Sequence, residues 1–328
     1  LPQSLKKGEL LRDRYEIREQ IGQGGTGSIY LAEDKRLQGR LCALKEVEHN
    51  QSLPPNIFEQ AREQFFREAS VLARLDHPNL PKVSDYFSVK TRDYLVMDYV
   101  PGKDLRERML EARRKKEFLA EREVINWAVQ ISEALEYLHQ QETPIIHRDI
   151  KPSNLKITPS GLIKLVDFGL VKIMAPDEVT ITVIQGQGTA LYTPLEQYGG
   201  DDAHTDVRAD IFSFGATLYH LLTNEPPTEA RKRFLDTQSL TPLRKINPNI
   251  SLRVDKAVLW AMALHPDDRP KNVVEFREAL LGKHDAPQRA ERSRASYQMS
   301  AQDFVTEQIA GYVAAGLFLL GLAVTLTR

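Results

Sequence analysis

The run His147-Arg148-Asp149-Ile150-Lys151-Pro152-Ser153-Asn154 is followed, thirteen residues beyond its Asn, by Asp167-Phe168-Gly169. Within a short stretch it gathers a carboxylate base, a cationic side chain and two oxygen donors suited to a metal. That is the equipment for moving a phosphoryl group from ATP to a hydroxyl. A lone Asp or Asn in a loop is ordinarily a turn or cap residue, so the paired spacing carries the signal. The intervening residues account for that spacing: Leu155-Lys156-Ile157-Thr158 and Leu162-Ile163-Lys164-Leu165-Val166 are β-prone and flank Pro159-Ser160-Gly161, which predicts a β-hairpin. A hairpin returns the chain to its start, setting Asn154 and Asp167 at one end where their oxygens can share Mg²⁺.

Upstream, Gly22-Gln23-Gly24-Gly25-Thr26-Gly27-Ser28-Ile29 supplies small residues that let backbone N–H groups approach phosphates. The same glycine spacing occurs in dinucleotide-binding folds, where it turns a strand into a helix with an acidic residue about twenty positions on; Glu46 and Glu48 lie near that distance. Here Tyr15-Glu16-Ile17-Arg18-Glu19-Gln20-Ile21 and Ser28-Ile29-Tyr30-Leu31-Ala32-Glu33 are both β-prone, so the loop joins two strands. The dinucleotide reading also leaves the other motifs unexplained.

Together these residues resemble those of the protein kinases, specifically the bacterial eukaryotic-like serine/threonine kinases, since Lys151 follows Asp149 by two. The resemblance implies an α+β, two-lobed fold, with a small β-rich N-lobe carrying one main helix and a larger, mostly helical C-lobe. It implies ATP with Mg²⁺ or Mn²⁺, and protein substrates bearing Ser or Thr. By the same resemblance Asp149 accepts or orients the hydroxyl proton, Lys151 neutralises charge on the transferred group, and Asn154 and Asp167 hold the metal. Cys42-Ala43-Leu44-Lys45 resembles the third-strand lysine motif, with Lys45 on the α- and β-phosphates and Glu68 as its switchable partner; Glu63 competes for that role. The implied nucleotide contacts are Ile21 through Ile29, Ala43 and Lys45, Met97 as gatekeeper, Asp98, Tyr99 and Val100 as hinge, and Asp104 toward the ribose.

Several elements must position these groups. Phe58, Ala61, Phe65, Ala69 and Leu72 recur at three- and four-residue steps, predicting a helix from about Ile57, with strands following at about 82–87 and 94–98. A charged helix is expected from near Asp104. Another spans 121–140, with Val124, Trp127, Ala128, Ile131, Leu135 and Leu138 on its packed face. Further helices are expected from Asp210 to near Thr223, over 251–263 and over 273–281.

Beyond Phe168 and Gly169 about thirty residues show little periodicity, as functional or mobile loops do. By position this resembles an activation segment, in which relatives are phosphorylated at places matching Thr180 and Thr182. Arg148 offers a phosphate there a bidentate partner, so autophosphorylation is expected to raise activity. At the segment's close, Gly188-Thr189-Ala190-Leu191-Tyr192-Thr193-Pro194-Leu195-Glu196-Gln197 places Leu195 where the family has Pro, with Pro194 preserving the turn. The resemblance further implies that Thr189 bonds Asp149 and Lys151, that Glu196 pairs with Arg269, and that Asp210 supports the catalytic-loop backbone.

The expected organisation is a lead-in at 1–14, the kinase domain at 15–282 (N-lobe 15–98, C-lobe 99–282), a polar juxtamembrane linker at 283–308 and a membrane helix at 309–327. The last run has no charged residue and is long enough for about 30 Å of hydrocarbon. Lys283, Arg289, Arg292 and Arg294 precede it, which places the domain on the cytoplasmic face of the cell membrane as a single-pass protein. Only Arg328 follows, so no extracellular sensor domain is expected. Gly311 and Ala315 form a small-xxx-small pair suited to homodimerisation. In the 328 residues the net charge of −1 gives no basic excess for nucleic acid, and a single cysteine, Cys42, excludes an internal disulfide. A rival class is a membrane-tethered pseudokinase scaffold that binds nucleotide or partners without catalysis; the presence of Lys45, Asp149 and Asp167 argues against it.

Overall fold

The computed structural model describes residues 4–24, 27–48, 54–167, 172–173, 190–198, 205–236 and 238–286. The chain divides into the units Leu1–Ala286 and Pro287–Arg328; the second, including the 309–327 run, lies outside the described residues. Among the described residues no helix is long and apolar enough to cross a membrane.

Six strands build the first lobe: β1 (Leu10–Leu11), β2 (Tyr15–Gly24), β3 (Gly27–Asp34), β4 (Leu41–Glu48), β5 (Val83–Val89) and β6 (Arg92–Asp98). They form one antiparallel sheet in the order β1-β2-β3-β4-β6-β5. The edge strand β1 belongs to the stretch expected to be a mere lead-in; two residues carry no alternation to read. Period two along β4 sorts its side chains. Cys42 and Leu44 join an outer cluster with Tyr15, Tyr30, Phe87 and Tyr94, whereas Ala43 and Val47 face the main core, and Lys45 shares their face.

Helix α1 (Pro55–Leu72) starts two residues before the expected point, with Pro55 at its first position, where a fixed φ and a missing N–H cost nothing. Its apolar face is buried only in the second half: Phe65, Ala69 and Leu72 are enclosed, while Ile57 is exposed and Phe58 half-buried.

The second lobe holds α2 (Leu105–Arg114), α3 (Glu121–His139), α4 (Arg208–Thr223), α5 (Ala230–Leu235), α6 (Leu243–Ile246), α7 (Leu252–Ala261) and α8 (Val273–Leu281). All six expected core residues of α3 are buried, each stabilising the fold by about 1.5–3 kcal/mol for the larger side chains. Helix α4 is buried nearly all round, and its Gly215 is needed for that. A Cβ there would lie 2.9 Å from Ala261 Cβ and 3.0 Å from Met262 Cγ, so glycine permits the close approach of α4 to α7. Helices α7 and α8 carry Ser251 and Asn272 as N-caps. The short helices α5 and α6 were not anticipated, since four to six residues hold barely one period.

The expected hairpin is present as β8 (Leu155–Ile157) and β9 (Ile163–Leu165), paired Leu155↔Leu165, Lys156↔Lys164 and Ile157↔Ile163. Asn79, just beyond α1, fastens it: its Nδ2 donates to the Ile163 carbonyl at 2.7 Å and its own carbonyl accepts from Leu165 N–H at 2.8 Å. A smaller pair, β7 (Ile145–Ile146) with β10 (Lys172–Ile173), brackets the hairpin in sequence.

Candidate active site

Strand β7 delivers the chain into the turn carrying Asp149, and a 3-10 turn at Pro152–Asn154 turns it into β8. The Val166 N–H donates to the Asn154 carbonyl at 2.8 Å, so the hairpin brings the Asn154 and Asp167 ends together as its sequence implied. Asp149 Oδ2 accepts from Lys151 Nζ at 2.7 Å and from Asn154 Nδ2 at 2.9 Å, and the same Nδ2 reaches the Asp149 carbonyl at 2.8 Å. Asp149 Oδ1 is buried and has no hydrogen-bond partner among the described residues. An unmatched buried acceptor is costly. Here it leaves one carboxylate oxygen with its accepting capacity uncommitted.

Two residues of the site have positive φ without being glycine: Arg148 at 65° and Asp167 at 59°. Left-handed backbone at such residues costs about 1–3 kcal/mol each, so the surroundings must hold it. Asp210, fully buried at the start of α4, does so for Arg148. Its Oδ1 accepts the Arg148 N–H at 2.8 Å, while Oδ2 accepts from the His147 N–H at 2.9 Å and from His139 Nε2 at 2.9 Å. Burial pushes the Asp210 pKa up, but the His139 hydrogen bond and the charges of His139 and His147 outweigh it, and the net shift is downward. The carboxylate scaffold expected of Asp210 is therefore in place, with His139 as a partner that sequence reasoning missed. His139 is simply the last residue of a helix in the sequence, and nothing nearby marks it. His147 is wholly buried, which lowers its pKa and favours neutral imidazole.

Asp167 is held by Lys45, whose Nζ lies 2.5 Å from Oδ1. Burial raises the Asp167 pKa, but the Lys45 charge and hydrogen bond prevail, with Lys151 adding to them, and the net direction is down. Glu68 is buried on α1 and accepts from Gln64 Nε2 at 3.0 Å, whereas Glu63 is exposed; burial thus favours Glu68 over its competitor as the acid that faces the core.

The glycine-rich strands pair Gly22↔Ile29, Gln23↔Ser28 and Gly24↔Gly27, and the next strand adds Ile29↔Lys45. This row sets the loop beside the lysine. Gly27 has φ 149°, and a Cβ on it would lie 1.9 Å from the Glu46 carbonyl oxygen, so the backbone passes too closely for any side chain. Gln20 Nε2 braces the loop, donating to Ser28 Oγ at 3.2 Å and to the Gly22 carbonyl at 3.3 Å. Ile21 is exposed at the rim. Farther in, Ala43 pairs with Met97, and both are buried; Asp98 ends β6, and Tyr99 and buried Val100 lead out of the sheet. Asp104 is the N-cap of α2 in a capping box, with Oδ1 accepting from Glu107 N–H at 2.8 Å. One of its oxygens is therefore committed to the helix. Gly25, Thr26, Phe168, Gly169, Thr180, Thr182 and Thr189 lie outside the described residues.

Pro194 caps a 3-10 turn at Leu195–Gln197, so the chain turns at this point with Leu195 in the family's Pro position. Glu196 makes a two-pronged pair with Arg269, at 2.5 Å from Nη1 and 2.9 Å from Nη2. Arg269 spends its remaining donors on the carbonyls of Ala263, Arg208 and Leu264.

The donor set suits Mg²⁺, which is bound through one or two protein oxygens together with phosphates and water. Asp167 stays ionised, and the amide nitrogen of Asn154 is committed to Asp149 while its Oδ1 accepts only a long bond from Ser153 Oγ at 3.5 Å.

Comparison with known proteins matches this arrangement. A model of the protein kinase domain matches residues 15–302. The chain is 34% identical over 284 residues to a probable serine/threonine-protein kinase of Clostridium acetobutylicum, covering 83% of this chain and 40% of the relative. It is 36% identical over 278 residues to one of Streptomyces coelicolor, covering 81% and 39%. With the serine/threonine-protein kinase PknB of Mycolicibacterium smegmatis it shares 32% over 286 residues, covering 84% and 44%. The chain thus spans about two-fifths of the length of the curated relatives it matches. Among solved structures, the PknI kinase domain of Mycobacterium tuberculosis superposes with a TM-score of 0.63 at 28% identity, covering 85% of this chain and 100% of that one. With its two lobes, its carboxylate-bearing turn and its paired lysine and aspartate, the chain belongs to the protein kinase family, alongside bacterial serine/threonine kinases.

Proposed function

We propose that this chain transfers the γ-phosphoryl group of ATP to Ser or Thr hydroxyls of proteins. The observation that carries the reading is Asp149, whose Oδ2 is fixed by Lys151 and Asn154 while Oδ1 has no partner among the described residues. Oδ1 takes the hydroxyl proton as the new O–P bond forms and the bond to the departing ADP breaks. Lys151 lies beside the transferred group and offsets its charge, and Lys45 orients the α- and β-phosphates. Asn154 and Asp167 hold Mg²⁺, which when bound neutralises charge on the phosphate oxygens. The backbone at 22–29 covers the phosphates, and the strand end at Met97, Asp98, Tyr99 and Val100 receives the adenine, with Asp104 toward the ribose. Glu68 is the switchable partner of Lys45.

Control is assigned to the segment after Gly169. Phosphate on Thr180 or Thr182 pairs with Arg148, and Thr189 then bonds Asp149 and Lys151. The uncharged run at 309–327 anchors the protein in a membrane through one helix, the polar stretch at 283–308 links it to the domain, and the basic residues of that linker keep the domain on the cytoplasmic side. Gly311 and Ala315 join two such helices.

Incubation with labelled Mg-ATP and a general acceptor protein tests the central claim. Label should enter the acceptor and residues 180 or 182 with the parent chain and fall about a thousandfold or more in Asp149→Asn, a loss on the scale of removing a triad member. Equal labelling by a folded Asp149→Asn protein would refute it. Fractionation of cells expressing the full chain and a 309–327 deletion tests the anchor, which fails if both distribute alike.

A further inference from the structure

Helix α2 packs against the 3-10 turn at Pro152–Asn154, against β8 and against α4, so it borders the groove just beyond the catalytic turn. Arg106 and Arg113 are seven positions apart, which sets them on one stripe of the helix. Both are exposed, and among the described residues neither has an ion-pair partner. The acids of the same helix are engaged: Glu107 accepts from the Asp104 N–H, and Glu111 is held by Lys103 and Arg108. The stripe therefore presents uncompensated positive charge.

Among the described residues, the side chains on which these arginines act electrostatically include Tyr192 and His220, both uncharged. The Tyr192 hydroxyl shares a hydrogen bond with His220 Nδ1 on α4 at 2.7 Å, and the two rings stack. Arg106 acts electrostatically on both side chains, and Arg113 on His220. Burial and these two arginines keep the imidazole neutral. Helix α2, packed against the catalytic 3-10 turn, thus presents two exposed guanidinium groups within electrostatic reach of a neutral Tyr–His pair.

We infer that Arg106 and Arg113 form a subsite for acidic side chains on the N-terminal side of the phosphoacceptor, so that this kinase favours Ser or Thr preceded by Asp or Glu. The inference rests on the phosphotransfer reading above. The sequence itself supplies a second, independent observation. Thr180, one of the two proposed phosphoacceptors in this chain, follows Asp177-Glu178-Val179, placing carboxylates two and three residues before it. Arginine binds carboxylates through paired N–H donors, and each exposed pair contributes modestly, so two together give a preference of about fivefold at low salt.

The test uses the full chain and a decapeptide with the sequence of residues 175–184, compared with the same peptide carrying Asp177→Asn and Glu178→Gln, and with one carrying lysine at both places. The acidic peptide should show about fivefold higher kcat/KM than the neutral one, mostly through KM, and the advantage should shrink as salt rises. In the Arg106→Gln/Arg113→Gln protein the ratio should fall to near one. In Arg106→Glu/Arg113→Glu the lysine peptide should become the better substrate, which a merely structural role would not produce. Equal kcat/KM for acidic and neutral peptides in the parent would overturn the subsite while leaving phosphotransfer standing. So would an acidic preference that survives both double substitutions. No transfer to any peptide or to a general acceptor protein would overturn the phosphotransfer reading, and the subsite with it.

Discussion

Replacing Arg269 with methionine isolates what the buried pair with Glu196 does. Arg269 has no exposed side-chain surface, and Glu196 has 8%. All five guanidinium hydrogens are used: two prongs to the carboxylate and three bonds to carbonyls of Ala263, Arg208 and Leu264. Its guanidinium also sits 5.0 Å from the Phe212 ring centroid. Methionine fills much of the volume but satisfies none of the acceptors. Removing one partner of a buried pair costs about 3–5 kcal/mol, and for a domain of this size each kcal/mol moves Tm by roughly 2–4 °C. The expected fall is therefore about 6–20 °C by calorimetry. Removing both charges, as Arg269→Met/Glu196→Leu, should restore part of it, because no carboxylate is then left buried alone. A single variant within about 2 °C of the parent, or a double variant less stable than the single by the full sum, would refute this account of how the Leu195–Gln197 turn is held.

Three further outcomes follow from the geometry. Gly27→Val should lose nucleotide-dependent thermal stabilisation and destabilise the sheet by more than about 1 kcal/mol, because its Cβ would overlap the Glu46 carbonyl; unchanged nucleotide binding by calorimetry would contradict it. The His220 pKa is depressed to about 4 from 6.5, chiefly by burial. The folded state therefore disfavours imidazolium, and its stability is intact above pH 6.5 and declines as pH falls toward about 4, by up to about 3 kcal/mol. His220→Gln should flatten that slope in denaturant titrations, and an identical slope would assign the acid sensitivity elsewhere. Asp210→Asn should reduce kcat more than KM, since it loosens Arg148 and His147 without touching nucleotide; a pure KM effect would count against the scaffold role.

How far the sequence foretold the structure depended on distance along the chain. The β8–β9 hairpin was readable because Pro159-Ser160-Gly161 punctuates two short β-prone runs, and Gly161 does take the positive φ of 83° that its turn requires. The packed face of α3 was readable because six residues repeat at helical spacing. By contrast, Asn79 holds β9 from 84 residues away, His139 reaches Asp210 across 71, and Tyr192 finds His220 across 28. None of these pairs leaves a local pattern, since each is made by the tertiary fold. Two-residue strands such as β1, β7 and β10 were missed for the opposite reason, being too short to hold a period.

The positive φ at both Arg148 and Asp167 connects the scaffold to the chemistry. Each strained residue is met by a charged partner from another part of the chain: Asp210 of α4 for the Arg148 backbone, and Lys45 of β4 for the Asp167 carboxylate. The two supports differ in kind. Asp210 is fully buried and binds backbone N–H groups, so its hold is permanent and belongs to the C-lobe core. Lys45 holds a side chain, and on the proposed function the same ammonium takes phosphates while Asp167 takes metal, so on that reading the bond is given up for catalysis. The Lys45–Asp167 contact consequently competes with nucleotide, so Mg-ATP and the closed ion pair draw on the same two groups. On that reading the side chain of Asp167, unlike the backbone of Arg148, is held by a partner that nucleotide displaces, which makes the Asp167 end of the hairpin the part of the site proposed to switch.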